Sequence, residues 1–491
     1  LAANTTGANN TGIGRSALTA NTTGTKNTAV GALSLDATTT GNNNTSVGEQ
    51  SLTTNTTGGN NTAVGTGALA LSTTASNNTA VGYDALVANT TGDENTAVGA
   101  NALDANTTGE RNTGIGHGAI TKVTTGSYNT GVGRAVMDDL TTGAENTAMG
   151  NFAMGETTTG SFNVAIGGSC LADNTTGSTN TALGHLALAD NTTASNNTAI
   201  GSQALRLNTT GTTNVAVGSG CLDANTTASR NSAVGYHALT ANTTGDRNTV
   251  MGAFAMEDNT TGTNNTAIGH DALANNTTVS NNTAIGSNAM LANTTGYDNV
   301  AVGRNALDAN VGGHSNTAVG ESSLTSNTEG DRNIAIGQNA MAVNTTGSEN
   351  VGIGRNALDA NTTASNNVAV GDSALTANTT GNFNVSVGSL SLDANTTGSQ
   401  NTAVGRHALS SNTTASQNTG IGSNALGDCT TGGNNSAVGD DCLGSLTTGV
   451  NNVAMGRGAG INVTTGGYNV ILGIDCGDTT TTGDTNILIG N

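Results

Sequence analysis

Apolar and polar positions along this chain recur on one strict beat. Glycines stand at Gly14, Gly31, Gly48, Gly65 and onward to Gly473 and Gly490, always 17 residues apart. The unit between them reads x-x-A-L-x-A-N-T-T-G-x-x-N-T-A-V-G and repeats 29 times without insertion or deletion. Numbered 1 to 17 with that glycine last, position 13 is Asn in every copy, as at Asn10, Asn27, Asn44, Asn61, Asn78 and Asn95. Position 16 is always Val, Ile, Leu or Met. Position 4 is Leu, Ile or Met until the last two copies, where Gly460 and Gly477 replace it.

No extended run in the unit exceeds about five residues, and glycines at positions 10 and 17 mark corners, so each unit predicts one coil of a β-solenoid. The expected fold is all-β: a single continuous β-solenoid, or β-roll, of about 29 coils filling residues 1–491, cut in mid-repeat at both ends and divergent over 457–491. Stacking at the strand spacing of about 4.8 Å would give a rod on the order of 135 Å long. In N-T-A-V-G, alternation sets Thr and Val on one face and Ala on the other. With the larger residue inward, the core is Val30, Val64, Leu18, Leu52 and Leu103. The position-13 asparagines and Gly14, Gly31, Gly48 and Gly65 are expected to form structural ladders, the amides bonding from coil to coil because a buried amide without partners is costly. A second Asn column at position 7 admits Thr38, Ser72, Val123, Leu140 and Cys429, and reads as dispensable. Position 10 admits Ala75, Ala194, Ala228, Ala364, Ala415 and Val279, and reads as a turn that favours positive φ without demanding it.

Composition narrows the function. Aromatics are 2% of the chain and charged residues 9%, too few for an ordinary enzyme core. Gly at 71 and Pro at 0 exclude both a collagen helix and a Pro-rich linker. Lys and Arg total 13 against 33 Asp and Glu, and the net charge of −20 repels phosphate backbones and anionic lipid, so nucleic acid is excluded as a partner. No apolar run reaches the roughly 18 residues that membrane insertion needs. Two large apolar side chains per coil are a small return for ordering 17 residues. Copies of the chain are therefore expected to pack in parallel, with the small columns at positions 3 and 15 at the contact.

The phrase N-T-A-V-G-x-x-A-L, as in Asn95 to Leu103, resembles the N-S-V-A-I-G-x-x-A repeats of YadA-type trimeric autotransporter adhesin heads, which are trimers of β-rolls. Joined by N-T-T-G, it is also similar to repeat regions of bacteriophage tail fibres. The resemblance spans the chain and departs from the adhesin heads in its longer period. It implies a non-enzymatic extracellular structural fibre or adhesin segment, a rigid rod that spaces or presents a binding tip, on a cell surface, a secreted filament or a virion. Its partners would be itself, as a homotrimer or end-to-end filament, and cell-surface glycans or receptors. The alternatives are a subunit of a self-assembling filament, glycan-coated in one version, and an ice- or carbohydrate-binding solenoid.

Candidate chemistry is sparse, and no catalytic, cofactor or metal residues are assigned. Cys170, Cys221, Cys442 and Cys476 fall at position 3, where Ala is usual, and Cys429 at position 7, so they read as small buried residues rather than a disulfide framework. The six histidines are scattered without metal-ligand spacing. Asp138 with Asp139, Asp440 with Asp441, and Asp475 with Asp478 read as solvated corner charge, since the glycine-rich calcium repeat is absent. N-T-T and N-N-T supply many formal glycan acceptors. The consecutive Thr56 and Thr57 would point oppositely in a strand, unlike the alternate threonines of a flat ice-binding face. All nine aromatics lie at the variable positions 1, 2, 11 and 12, with Tyr83, Phe152, Tyr236 and Phe254 among the possible recognition residues.

Overall fold

Positions 14 to 16 of each unit run extended in the structure, a computed structural model that describes residues 1–490. Asn491, the last residue of the expected repeat domain, lies outside them. The 29 strands are three residues long, from β1 (Thr11–Ile13) to β29 (Ile487–Ile489), and all pairing is parallel. Among the described residues there is no helix. The chain is a parallel β-solenoid that divides into two units, Leu1–Asp246 and Arg247–Asn491. The first carries β1 to β14 (Ser232–Val234) and the second β15 (Thr249–Met251) to β29.

Register within each unit follows the repeat directly. In the first, β4 (Thr62–Val64) lies on β5 (Thr79–Val81) with Thr62 opposite Thr79, Ala63 opposite Ala80 and Val64 opposite Val81. In the second, Thr266, Ala267 and Ile268 oppose Thr283, Ala284 and Ile285. Pairing continues around the corners. In the coil that starts at β5, Leu86, Ala88 and Thr90 donate their N–H groups to Ala102, Asp104 and Thr107 of the next coil, at 2.9 to 3.0 Å. Gly82 and Asp84 donate to Val64 and Thr66 of the coil before, at 2.8 and 3.0 Å. Most of the coil thus answers the need of buried backbone for partners, not the three strand residues alone.

Each coil closes through four left-handed residues, at positions 2, 4, 12 and 17. In one coil these are Gly82 (φ 141°), Asp84 (52°), Leu86 (55°) and Glu94 (61°). At position 17 only glycine fits, because the φ is one that side chains avoid and a Cβ on Gly65 would overlap the Gly82 carbonyl of the next coil. Position 10 works differently. Gly58 and Gly92 do not have positive φ, and their smallness serves close approach, since a Cβ would press on the carbonyl of the next coil. The expectation of a left-handed turn there is corrected.

The interior is one leucine wide. Leu18, Leu52 and Leu103 are fully buried, as are the position-15 alanines Ala29 and Ala63. Val30 is half-buried and Val64 is 37% exposed, so the expected placement of the Val column in the core is corrected: the strand turns Ala inward and its two β-branched residues outward. Leu at position 4 reaches across its own coil to the middle of the strand, which leaves room for little more than a methyl group in most coils, Val250 being the largest residue there beside a leucine. At Gly114 an added Cβ would lie 3.1 Å from Leu103 Cγ. The position-3 alanines, such as Ala68 and Ala85, are also fully buried. Columns 3 and 15 therefore fill the coil and cannot form the contact between copies expected of them.

The divergent last coils keep the same volume by exchange. Gly460 and Gly477 remove the position-4 leucine, and Ile471 and Leu488 at position 15 enter the space. A Cβ on Gly460 would meet Ile471 Cδ1 at 2.7 Å, and one on Gly477 would meet Leu488 Cδ1 at 2.9 Å. Ile471 is fully buried.

Candidate functional surfaces

Two polar ladders run inside each unit. At position 13 the side-chain oxygen accepts from the backbone N–H of the next ladder asparagine: Asn27 donates to Asn10, Asn44 to Asn27, Asn61 to Asn44, Asn78 to Asn61 and Asn95 to Asn78, at 2.8 to 3.0 Å. The side-chain nitrogen donates onward to the position-10 carbonyl of the following coil, as from Asn61 to Ala75 at 2.9 Å. Both groups of a fully buried amide are thereby satisfied, as such burial requires.

The position-7 ladder passes from coil to coil through side chains. Asn106 donates to Asn89 Oδ1 at 2.8 Å and to the Gly109 carbonyl at 3.0 Å. Where the column changes residue, the ladder breaks and leaves an oxygen behind. The Oδ1 atoms of Asn21, Asn55, Asn106 and Asn412 are buried without partners, and the next residues in the column are Thr38, Ser72, Val123 and Cys429. Cys429 preserves half of the role, its thiol donating to the Gly432 carbonyl at 3.2 Å. All five cysteines are free and buried. Burial pushes the Cys170 and Cys221 thiols up to about 12, and Cys429 and Cys442 up to about 11, away from the thiolate that nucleophilic chemistry needs.

Threonine supplies a third ladder at position 8, where Thr56 Oγ1 donates to the Thr73 carbonyl at 3.0 Å and Thr73 to Thr90 at 3.1 Å. Its neighbour Thr57 is exposed. The N-T-T acceptor asparagines from Asn21 onward are fully buried in the position-7 ladder, so a glycan coat attached to them does not fit this fold. Exposed acceptors lie at position 12, as at Asn43 and Asn60, and at Asn4, Asn275 and Asn462.

Surface charges pair along their columns from one coil to the next. Arg111 meets Glu94 at 2.7 Å and also bonds Tyr128, and both contacts raise the guanidinium pKa above its ordinary value. Arg355 meets Asp372 at 2.8 Å and holds that carboxyl below its usual range. Each acidic pair has at least one carboxyl engaged: Asp138 accepts from Thr121, Asp139 from Lys122, Asp441 from Asn424 and Asp475 from Arg457. Among the described residues, no three His, Cys, Asp or Glu side chains converge in a way that could hold a metal ion, and no helix is long and apolar enough to cross a membrane.

The possible recognition residues stand apart. Tyr83 is exposed and hydrogen-bonded to Asp84, which raises its phenol pKa. Phe152 lies under the Arg134 guanidinium at 5.3 Å. These two are separated by four coils, about 19 Å at the strand spacing. In the first unit Tyr236 packs edge-on against His237 at 4.3 Å, and in the second Phe254 packs edge-on against His270 at 5.9 Å. The structure does not gather Tyr83 and Phe152 into one patch.

The feature missed in sequence is the outward face of the strands, with Val, Ile, Leu or Met at position 16 beside Thr or Val at position 14. Its signal was present in column 15, which is small in most coils because leucine already occupies the interior. No protein-family model matches the chain, and no curated protein matches its sequence.

Proposed function

We propose that this chain is a non-enzymatic structural segment of an extracellular fibre or adhesin, a stiff spacer that carries a binding element. The observation that supports the reading is the uniformity of the coil. The same 17-residue circuit recurs, and within each unit it is tied to its neighbours by backbone pairing and by the Asn and Thr ladders. A structure in which every coil contacts only its neighbours extends in proportion to its coil number, which is what spacing requires and what a catalytic pocket does not. The extracellular setting rests on the likeness of the N-T-A-V-G-x-x-A-L phrase to surface and tail-fibre repeats.

Electron microscopy of the purified chain tests this. Elongated particles of uniform width, with an axial repeat near the strand spacing of about 4.8 Å in diffraction from aligned samples, are expected. Compact globules would overturn the reading.

A further inference from the structure

Each strand of the two units shows water the side chains of positions 14 and 16. Position 16 is Val, Ile, Leu or Met in all 29 coils and is buried in none of them. Val64 is 37% exposed and Met149 49%. Position 14 is Thr, Ser, Val or Ile throughout, so none of the chain's 33 acidic and 13 basic residues falls on either column. The exposed position 12 varies freely, holding Lys26, Asn43, Glu94, Arg111 and Tyr128 in nearby coils, and the exposed position 9 is polar, as at Thr57, Thr91, Thr108 and Glu329. Neither of those columns is held apolar. An apolar stripe held constant while exposed marks a surface that is covered.

We propose that a second copy of this chain covers it, lying parallel and in axial register, with positions 14 and 16 of one copy packed on those of the other. The repeat selects this occupant. Apolar side chains recur in every coil at the strand spacing of about 4.8 Å, and a partner keeps step over many coils only if it has the same rise. A rotation axis along the solenoid, the usual closed symmetry of identical chains, sets each coil against its own counterpart. Charge agrees. Copies that each carry −20 repel one another, and this face lets them meet without bringing an acidic side chain into the contact.

The area is sufficient as well. Three residues at about 3.3 Å by one strand spacing give a footprint of about 48 Å² per coil. The 14 strands of the first unit then offer about 670 Å², close to the roughly 800 Å² per partner of a standard interface. This inference goes beyond the spacer reading and does not depend on it, since a single chain could also act as a spacer.

Sedimentation equilibrium of the full chain at micromolar concentration is the test. The wild type is expected at a multiple of 47.8 kDa. The triple variant Val64→Glu, Val98→Glu, Ile115→Glu should fall to the single-chain mass with an unchanged far-ultraviolet spectrum. Thr57→Glu, Thr91→Glu, Thr108→Glu, on another exposed column, should leave the oligomer intact. A monomeric wild type, or a folded triple-Glu variant that stays associated, overturns the proposal. If the triple-Glu chain fails to fold, Val64→Thr, Val98→Thr, Ile115→Thr takes its place and should dissociate at higher concentrations than the wild type; unchanged dissociation overturns the proposal. Val64→Cys tests register: oxidation is expected to link two chains through that position, and an oligomer that forms no such link refutes the parallel arrangement.

Discussion

A buried asparagine is useful here only while its column continues. Asn61 gives its oxygen to the Asn78 N–H at 3.0 Å and its nitrogen to the Ala75 carbonyl at 2.9 Å. Asn61→Ala would strand both backbone groups and should cost about 2–5 kcal/mol, measurable as a lowered denaturation midpoint. Position 7 offers the opposite experiment. Ser72 interrupts the column between Asn55 and Asn89, and both Ser72 Oγ and Asn55 Oδ1 are buried without partners. Asn191 and Asn208 occupy the same column beside Ala194 and Gly211 with full hydrogen bonding, so the coil geometry accepts an amide with either small residue at position 10. Ser72→Asn is expected to raise stability by about 1–2 kcal/mol in equilibrium unfolding. A midpoint at or below the wild-type value would show that the orphaned oxygen is not what limits that coil.

At the scale of the coil, two glycine columns that look alike in sequence do different things. Gly65 has φ 133° and lies against the carbonyl of the next coil, whereas Gly92 is constrained by proximity alone. Gly65→Ala should cost about 1–3 kcal/mol from backbone strain, with steric overlap in addition. Gly92→Ala should cost under about 1 kcal/mol, because Ala75 and Ala194 already occupy that column. Unfolding of the two variants side by side separates these causes, and equal losses would refute the distinction. The left-handed leucines are the element-level feature least visible in sequence. Leu86 at φ 55° breaks the habit that assigns such backbone to Gly or Asn, and it is held there because its side chain fills the interior. Gly460 and Gly477 show the alternative, relaxed backbone with the volume restored by Ile471 and Leu488.

Over the whole molecule, acidity opposes folding at specific places. Burial raises the pKa of Asp104, Asp359 and Asp393 at position 5 above the usual carboxyl value. Asp104 and Asp393 each keep one buried oxygen without a partner, while Asp36 and Asp308 in the same column accept from Thr53 and Thr325 at 2.6 Å. A carboxyl raised in the folded state binds its proton more tightly there than in the unfolded chain. Its penalty is therefore absent below the ordinary value of 3.8, grows as pH rises through the folded value, and is complete above it. The triple variant Asp104→Asn, Asp359→Asn, Asp393→Asn should be more stable than wild type at pH 7, with the difference shrinking toward pH 4 in denaturation series; a constant difference would exclude titration as its cause. The 17-residue period was legible because nothing interrupts it, and Asn61 could be placed in a ladder because a buried amide has few other options. The inward residue of each strand was not legible, because alternation defines two faces without saying which is inside, and Val64 is the larger residue. Only the reach of Leu69 and its counterparts across the coil decides it. The ladders also bear on how such a molecule ages. Asparagine ordinarily loses ammonia when the following backbone nitrogen closes on its side chain, one reason it is thermolabile. Here the nitrogen after each of Asn10, Asn27 and Asn61 is held by the next coil, as Thr62 N–H is by the Asn78 carbonyl at 2.9 Å. The residue most abundant in these columns is thus shielded from its own slow chemical clock for as long as the coils remain stacked.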